Sequence, residues 1–304
     1  MGLLSSPNGT PARNTFRSVC SFILIVELCE RLAFFTFQTN LALYIQKELH
    51  YEASQSSMLS SVFSSLSYVT PLMGAYFADA VWGRYVTIVN FALIYTVGLV
   101  MIVLAAWPGV QSSCLFFIGL FVFVCLGTGG IKCNVVTLGA DQYDPIAEED
   151  QLKSFFSWYY WMSNIGAIIS TAFLAEFALN GIDGVVSKTY SFPISFLVAA
   201  ICFGFSIAVF YIGRKRYHRV KPSDSAFVRF GRILYEGARH SRRGKLILTL
   251  LIALAISVVM NVILVFLPDS LPVEILSFVI SFVIIVGILG IIFYGQQADW
   301  VYSA

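Results

Sequence analysis

The chain has 304 residues, of which 58% are hydrophobic and only 12% are charged, and its formal net charge is +2. Because soluble domains average about 25% charged residues, this composition excludes a soluble globular protein and favours an all-α integral membrane protein. The weak net charge gives no reason to expect a nucleic-acid partner. The six cysteines have no paired spacing, so we interpret them as small packing residues rather than as a metal site or disulfide framework.

Eight apolar segments along the chain are long enough to cross a bilayer, which takes about 20 mostly apolar residues. We place them near residues 18–45, 56–79, 86–107, 113–139, 154–179, 191–213, 246–267 and 273–297. The first six predict an N-terminal six-helix transmembrane bundle over residues 1–213. The last two predict a transmembrane helical hairpin, or the start of a second bundle, over residues 246–304.

The connection between these two parts, residues 214–245, carries eleven lysine and arginine residues and only two acids. Positive charge concentrates in the cytoplasmic flanks of membrane spans, so this basic linker is predicted to be cytoplasmic. Because six spans precede it, the N-terminus is placed on the same side. The linker fits either an amphipathic helix lying on anionic lipid or a solvated loop that follows the charge rule.

Three ionisable residues, Glu27, Glu30 and Arg31, lie inside the first apolar segment. Their spacing puts them on one helical face, where Arg31 can offset a neighbouring carboxylate. Each such group costs about 2.5 kcal/mol or more to insert, and charges inside a membrane usually mark an ion or substrate path. We therefore expect this face to line a polar cavity. The alternative is a charge cluster at the membrane boundary that extends toward the headgroups.

The turn after the second span contains Gly74, Asp79, Gly83 and Arg84. The glycines permit close helix approach and a tight turn. Asp79 and Arg84 are predicted to pair as a gating loop at the cytoplasmic face and to separate as helices move.

A glycine cluster occupies the end of the fourth span. The sequence there is Gly127-Thr128-Gly129-Gly130-Ile131-Lys132-Cys133-Asn134, followed by Gly139-Ala140-Asp141-Gln142. The glycines predict backbone contact with a neighbouring helix. Lys132 is a cation inside that helix and requires an acidic partner or an anionic ligand.

The fifth span begins with an aromatic block from Phe155 to Trp161, followed by Ser163, Asn164 and Gly166. Aromatic residues at this density are also typical of an interfacial belt. Asn164 lies deeper, where its amide needs a partner.

These four motifs, in this order and on these spans, resemble those of the proton-dependent oligopeptide transporter family of the major facilitator superfamily. The resemblance covers about residues 18–213 and implies that they form the N-terminal bundle of that superfamily's fold. Three departures stand out: Phe34 and Phe35 replace a tyrosine pair, Cys133 replaces a proline, and Ser163 replaces an apolar residue. The hydroxyls of the tyrosine pair are therefore absent from this chain.

The resemblance implies a proton-coupled symporter of di- and tripeptides, or a relative that carries histidine, nitrate or another small solute. It assigns Arg31 and Lys132 to the peptide carboxylate and Asn164 to the peptide ends or backbone. It also assigns Tyr68 and Trp161 to a pocket for the peptide's side chains.

The same resemblance implies that Glu27, Glu30 and Arg31 couple protons to transport, with the proton as the coupling ion and no other cofactor. The sequence shows no nucleophile with a matching base and no metal-ligand spacing, so we do not expect an enzyme or a metal site. The expected partners are a small peptide, the lipid bilayer and a C-terminal bundle. We therefore expect either a fragment of a longer transporter or a natural truncation. The alternative is a truncated, non-transporting relative that acts as a membrane partner or sensor.

The last span is open to two interpretations. Residues 293–297 resemble the family's seventh helix, but Gly295 stands where that helix carries an acid. The predicted orientation also opposes the match. The 273–297 span would run from outside to inside, whereas the family's seventh helix runs from inside to outside. We therefore favour an inserted hairpin. The sequence does not distinguish the plasma membrane from an endolysosomal or vacuolar one.

Overall fold

The computed structural model describes residues 19–181, 186–222, 231–232, 235–239, 241–265, 276, 279–280, 282–287 and 290. The regular elements in these ranges are helices, which confirms the predicted all-α class. The chain divides into two compact units, residues 1–223 and residues 224–304.

Six long helices occupy the described part of the first unit, and each coincides with one of the first six predicted spans. They are α1 Ser21–Lys47, α2 Ala53–Tyr76, α3 Arg84–Ala106, α4 Ser113–Ala140, α5 Glu149–Asn180 and α6 Lys188–Ile212. By length and composition, α3 to α6 are apolar enough to cross a membrane. The composition of α1 and α2 is more polar, because α1 carries charged residues and α2 is rich in serine.

Several helices begin before the apolar segment that predicts them. The clearest case is α5, which begins at Glu149, whereas its apolar segment begins near residue 154. Glu149 and Asp150 form its first turn, where negative charge interacts favourably with the helix dipole. The helix therefore continues past its apolar part.

Three of the helices contain or continue into a π-helical stretch. α2 continues into Phe77–Trp82, whereas α4 and α5 include Ile118–Val124 and Ile169–Leu174. π-Helical turns are rare and occur frequently at functional sites. The last turn of α6 is instead a tight 3₁₀ turn, Gly213–Lys215.

Glycines bring α4 against both α2 and α3. A Cβ atom on Gly129 would lie 2.6 Å from the Cβ atom of Thr70 on α2. Gly127 approaches Tyr95 of α3 in the same way. The backbones therefore pack at a distance that only small residues allow, and this packing fixes which face of α4 points at α1.

The helix that carries the charges, α1, lies inside the bundle. It packs against α2, α5 and α6, and it buries Phe34, Phe37, Leu41 and Tyr44. The ring of Tyr44 lies on that of Phe116 of α4, with centroids 4.7 Å apart. Four polar side chains of α1 are buried among the other helices: Glu27, Glu30, Thr36 and Asn40.

The second unit is described only in part. α7 spans Arg242–Val265 and coincides with the predicted span at 246–267. Gly244 near its start lies against the backbone of Gly237, so the chain turns tightly before α7. Residues 223–230 of the basic linker and most of the predicted span at 273–297 lie outside the described residues. The proposed domain boundaries and the identity of the last span stay predictions.

Candidate functional site

A buried ion cluster lies in the N-terminal half of α1. The side chains of Glu27 and Glu30 are only 3% and 0% exposed, and that of Arg31 is 14% exposed. The Nε atom of Arg31 lies 3.2 Å from a Glu27 oxygen, and its terminal nitrogen contacts Glu30. One guanidinium thus serves two carboxylates. These groups are enclosed by protein, and their depth in the membrane stays a prediction.

Hydroxyl groups from two other helices complete the cluster. On α5, Ser163 donates a hydrogen bond of 2.5 Å to Glu27, and Tyr159 donates to the other oxygen of the same carboxylate. On α4, Thr128 donates a 2.9 Å hydrogen bond to Glu30. Buried carboxylates need such donors because their oxygens have lost water. Each acid is therefore tied to a different neighbouring helix.

None of these three hydroxyl residues was predicted to belong to the site. The sequence offered one signal, since Ser163 is polar where the family pattern is apolar. Tyr159 and Ser163 are also four residues apart, which places them on one face of α5.

Lys132 is held next to the ion cluster by aromatic rings. Its ammonium nitrogen lies 3.6 Å from the ring centre of Phe34 and 4.7 Å from that of Tyr68. The nitrogen is buried and donates no hydrogen bond to any described residue. Cation–π contacts offset part of the lost hydration, but they provide no counter-charge. Among the described residues no carboxylate forms an ion pair with Lys132, although Glu30 and Glu27 act on its charge from a greater distance.

Phe34 separates the two cations of the site. Its ring lies 5.7 Å from the guanidinium carbon of Arg31, in addition to its contact with Lys132. The ring is itself fixed by stacking on Phe63, with centroids 5.8 Å apart. A tyrosine hydroxyl at this position would offer hydrogen bonds, whereas phenylalanine offers only its ring face.

The other predicted ligand-binding residues lie on exposed faces. Tyr68 of α2 contacts Lys132 yet is 66% exposed, and Trp161 of α5 is 63% exposed. The Asn164 amide donates to the carbonyl of Tyr160 in its own helix, at 2.7 Å. The structure thus brings Tyr68 to the charged site. Trp161 lies two residues from both Tyr159 and Ser163 and therefore on the opposite, exposed side of α5, and Asn164 follows one turn after Trp161.

A second charged cluster lies where α2 turns into α3. Arg84 is 3.9 Å from Asp79, as predicted, but it forms a closer ion pair with Asp141 at the end of α4. In the turn between Asp79 and Arg84, Gly83 adopts a φ of 80°, a conformation that suits glycine. The sequence analysis identified Asp141 as part of a motif but did not predict its ion pair with Arg84, because 57 residues separate the two.

The segment that follows α6 crosses this second cluster. The Gln142 amide donates to the backbone carbonyl of His218 at 3.1 Å and accepts from its backbone N–H at 2.8 Å. Arg219 lies over the ring of Tyr85, 3.8 Å from its centre. Burial raises the pKa of the nearby Tyr217 phenol above its ordinary value. The ends of α3, α4 and α6 are therefore linked at this side of the bundle.

Comparison with known proteins gives consistent matches. Residues 85–269 match the family model PTR2, described as the POT family. The chain is 35% identical over 241 residues to Protein NRT1/ PTR FAMILY 8.5 of Arabidopsis thaliana, covering 72% of this chain and 39% of that protein. It is 33% identical over 207 residues to Peptide transporter family 1 of Drosophila melanogaster, covering 67% of this chain and 28% of that protein. The chain therefore spans less than half the length of these relatives.

The fold also matches solved structures. One is described as an auto-inhibited POT family peptide transporter, with a TM-score of 0.66 and 26% sequence identity. The match covers 92% of this chain and 53% of that chain.

Proposed function

This chain belongs to the POT family, whose members are multi-pass membrane transporters, and we propose that it supplies the N-terminal bundle of a proton-coupled symporter of di- and tripeptides. The printed names of the relatives cover both peptide transporters and the NRT1/PTR group. A peptide is our first choice because the site contains a buried cation suited to a carboxylate.

The observation that carries this proposal is the unequal pairing of two buried cations. Arg31 is paired with Glu27 and Glu30, whereas the ammonium of Lys132 meets aromatic rings. A substrate carboxylate would give Lys132 the anionic partner that the described residues do not provide. An unmodified peptide carries such a group at its C-terminus.

The charges of the site favour the movement of one proton with each substrate carboxylate. Two acids and two bases, Glu27, Glu30, Arg31 and Lys132, sum to zero charge when all are ionised. The C-terminal carboxylate of a peptide adds one negative charge at this cluster, while the peptide's ammonium lies at its other end, and a local unbalanced charge away from water is costly. A proton on either acid restores neutrality. It also releases Arg31 from that acid, so the guanidinium can join Lys132 at the substrate.

The exposed faces of α2 and α5 support the proposal that a second helical bundle packs opposite this site. Large apolar side chains are exposed on both helices, among them Leu72, Phe156 and Ile168. Transporters of this superfamily place the substrate between two bundles that rock against each other. We assign Tyr68 and Trp161 to the pocket for peptide side chains at that interface. Asn164, next to them, would contact the peptide backbone or ends.

The cluster of Asp79, Arg84 and Asp141 is assigned to gating at the cytoplasmic side. Its ion pairs join the ends of α2, α3 and α4, and partly exposed ion pairs are weak enough to break and re-form. We propose that they hold these ends together in one access state.

Direct uptake measurements test the proposed function. The full-length protein in proteoliposomes with an acidic exterior is expected to accumulate a labelled dipeptide above equilibrium, and a protonophore should abolish the accumulation. Accumulation of nitrate in place of dipeptide would assign the other substrate class. A protein that binds dipeptide and moves neither solute would instead support the alternative of a membrane partner or sensor.

Labelling with a membrane-impermeant maleimide tests the proposed orientation, in which residues 214–222 are cytoplasmic. Cys114 is exposed at the start of α4, so in intact cells it should react from outside. In a Cys114→Ser background, Lys221→Cys should react only after the membrane is permeabilised, whereas Gly109→Cys should react at once. Immediate labelling at position 221 would reverse the orientation.

A further inference from the structure

The carboxylate of Glu27 is held by two hydroxyl groups from one helix. Ser163 and Tyr159 donate to its two different oxygens, and both belong to α5. The third contact is the ion pair with Arg31. Glu27 is only 2% exposed, so this set of donors takes the place of water around its charge.

The two acids of α1 are attached to different helices. Glu30 is held by Thr128 of α4, while Glu27 is held by α5. A proton on Glu30 therefore changes the contact between α1 and α4. A proton on Glu27 changes the contact between α1 and α5.

A second hydrogen bond between α1 and α5 involves no charge. The hydroxyls of Thr36 and Ser170 lie 2.9 Å apart, and both residues are fully buried. Between the two contacts, Gly166 packs on α1, where an added Cβ atom would lie 2.6 Å from the carbonyl oxygen of Leu28. The π-helical stretch of α5 begins directly afterwards, at Ile169. Thus the contact of α5 with α1 includes one site that depends on charge and two described sites that do not.

We propose that Tyr159 and Ser163 are positioning residues that stabilise the ionised form of Glu27, so that protonation of Glu27 loosens α5 from α1. Hydrogen bonds to a charged acceptor are about twice as strong as neutral ones. A proton on Glu27 therefore weakens both α5 contacts and the attraction of Arg31 together. The contact at Ser170 and the packing of Gly166 are unaffected, so α5 pivots there. The inference rests on the proposed function, in that it takes Glu27 as a proton carrier.

Several other groups face Glu27 and act on its charge. Arg31 and Glu30 on α1, Tyr159 on α5 and Lys132 on α4 interact with Glu27 itself, whereas Tyr95 on α3 and Cys125 on α4 lie next to the other charges of the cluster. Among the described residues, Tyr159 and Ser163 are the two that hydrogen-bond to Glu27 from a different helix. Their removal therefore tests the helix-to-helix link without removing a charge.

The test compares two hydroxyl deletions with two matched controls. Ser163→Ala and Tyr159→Phe each remove one donor to Glu27. Ser170→Ala removes a buried hydroxyl that bonds to the neutral Thr36, and Tyr160→Phe removes the hydroxyl of a tyrosine that is 70% exposed. All four substitutions are on α5, and none changes a formal charge.

The first readout is the pH profile of dipeptide uptake by the full-length protein. With one donor removed, the ionised form of Glu27 is less stable, so the proton is retained up to a higher pH. We expect the midpoint of the profile to move up by about one pH unit for Ser163→Ala and for Tyr159→Phe, a tenfold change in proton affinity. Ser170→Ala and Tyr160→Phe should leave the midpoint unchanged.

A second readout does not depend on transport. The 304-residue chain is placed in lipid nanodiscs, and the intensity of the infrared carbonyl band of protonated carboxylic acids is measured as a function of pH. The band intensity that is missing in Glu27→Gln is assigned to Glu27. The titration midpoint of the Glu27 intensity should move to higher pH in the two hydroxyl deletions and not in the controls.

An unchanged midpoint in both hydroxyl deletions, or an equal shift in Ser170→Ala, overturns the inference. If the full-length protein carries no peptide, the proposed function fails while the infrared result still decides the role of these hydroxyls.

Discussion

Replacement of Glu27 or Glu30 by glutamine is expected to abolish uphill, pH-driven peptide uptake by the full-length protein. Glutamine keeps the shape and most of the hydrogen bonding of glutamate, but it carries no proton at these pH values. Both acids are buried against Arg31, and one guanidinium cannot fully neutralise two carboxylates. The variants should therefore bind and exchange peptide while losing the step that uses the proton.

Proteoliposomes separate these two activities. Uptake under an imposed pH gradient should fall to the level of passive equilibration, whereas counterflow at equal pH should be partly retained. Glu149→Gln is a suitable control, because this acid is mostly exposed and pairs with Lys153 on the surface of α5. If both site variants still accumulate peptide against its gradient, Glu27 and Glu30 are structural partners of Arg31 and the proton follows another path.

Substitution of Lys132 by alanine is expected to weaken peptide binding by well over tenfold. Loss of one partner from a desolvated ionic contact typically costs about 2 to 5 kcal/mol. In the unliganded bundle the ammonium packs on the rings of Phe34 and Tyr68 and forms no ion pair with a described residue, so alanine breaks no such pair there. The effect should therefore appear in affinity for the ligand more than in folding.

Calorimetry or competition binding with a dipeptide measures this loss. Lys153→Ala provides the matched control, since that lysine is 66% exposed and forms a surface ion pair with Glu149. A dipeptide amide, which lacks the terminal carboxylate, should bind wild type and Lys132→Ala about equally weakly. Unchanged affinity of Lys132→Ala for the unmodified dipeptide would contradict the assignment of Lys132 to the peptide carboxylate.

The sequence by itself determined the helices and the residues at the centre of the site. Each of the first six apolar segments forms one helix, because membrane insertion depends on local length and hydropathy. Glu27, Glu30 and Arg31 share one face because their spacing follows the helical repeat. The cost of charge inside a membrane then identified them, with Lys132, as functional candidates.

Only the tertiary structure decided which groups surround these charges. Thr128, Tyr159 and Ser163 lie 98 to 136 residues from the acids they contact, and Asp141 proved to be the closer partner of Arg84. Such pairs depend on how each helix is rotated and where it crosses its neighbour. Rotation and crossing are set by packing across helices, here by the close approach of Gly127 and Gly129 to α3 and α2. Local hydropathy does not depend on that packing, so the contact partners of the charged residues can be identified only from the assembled helices.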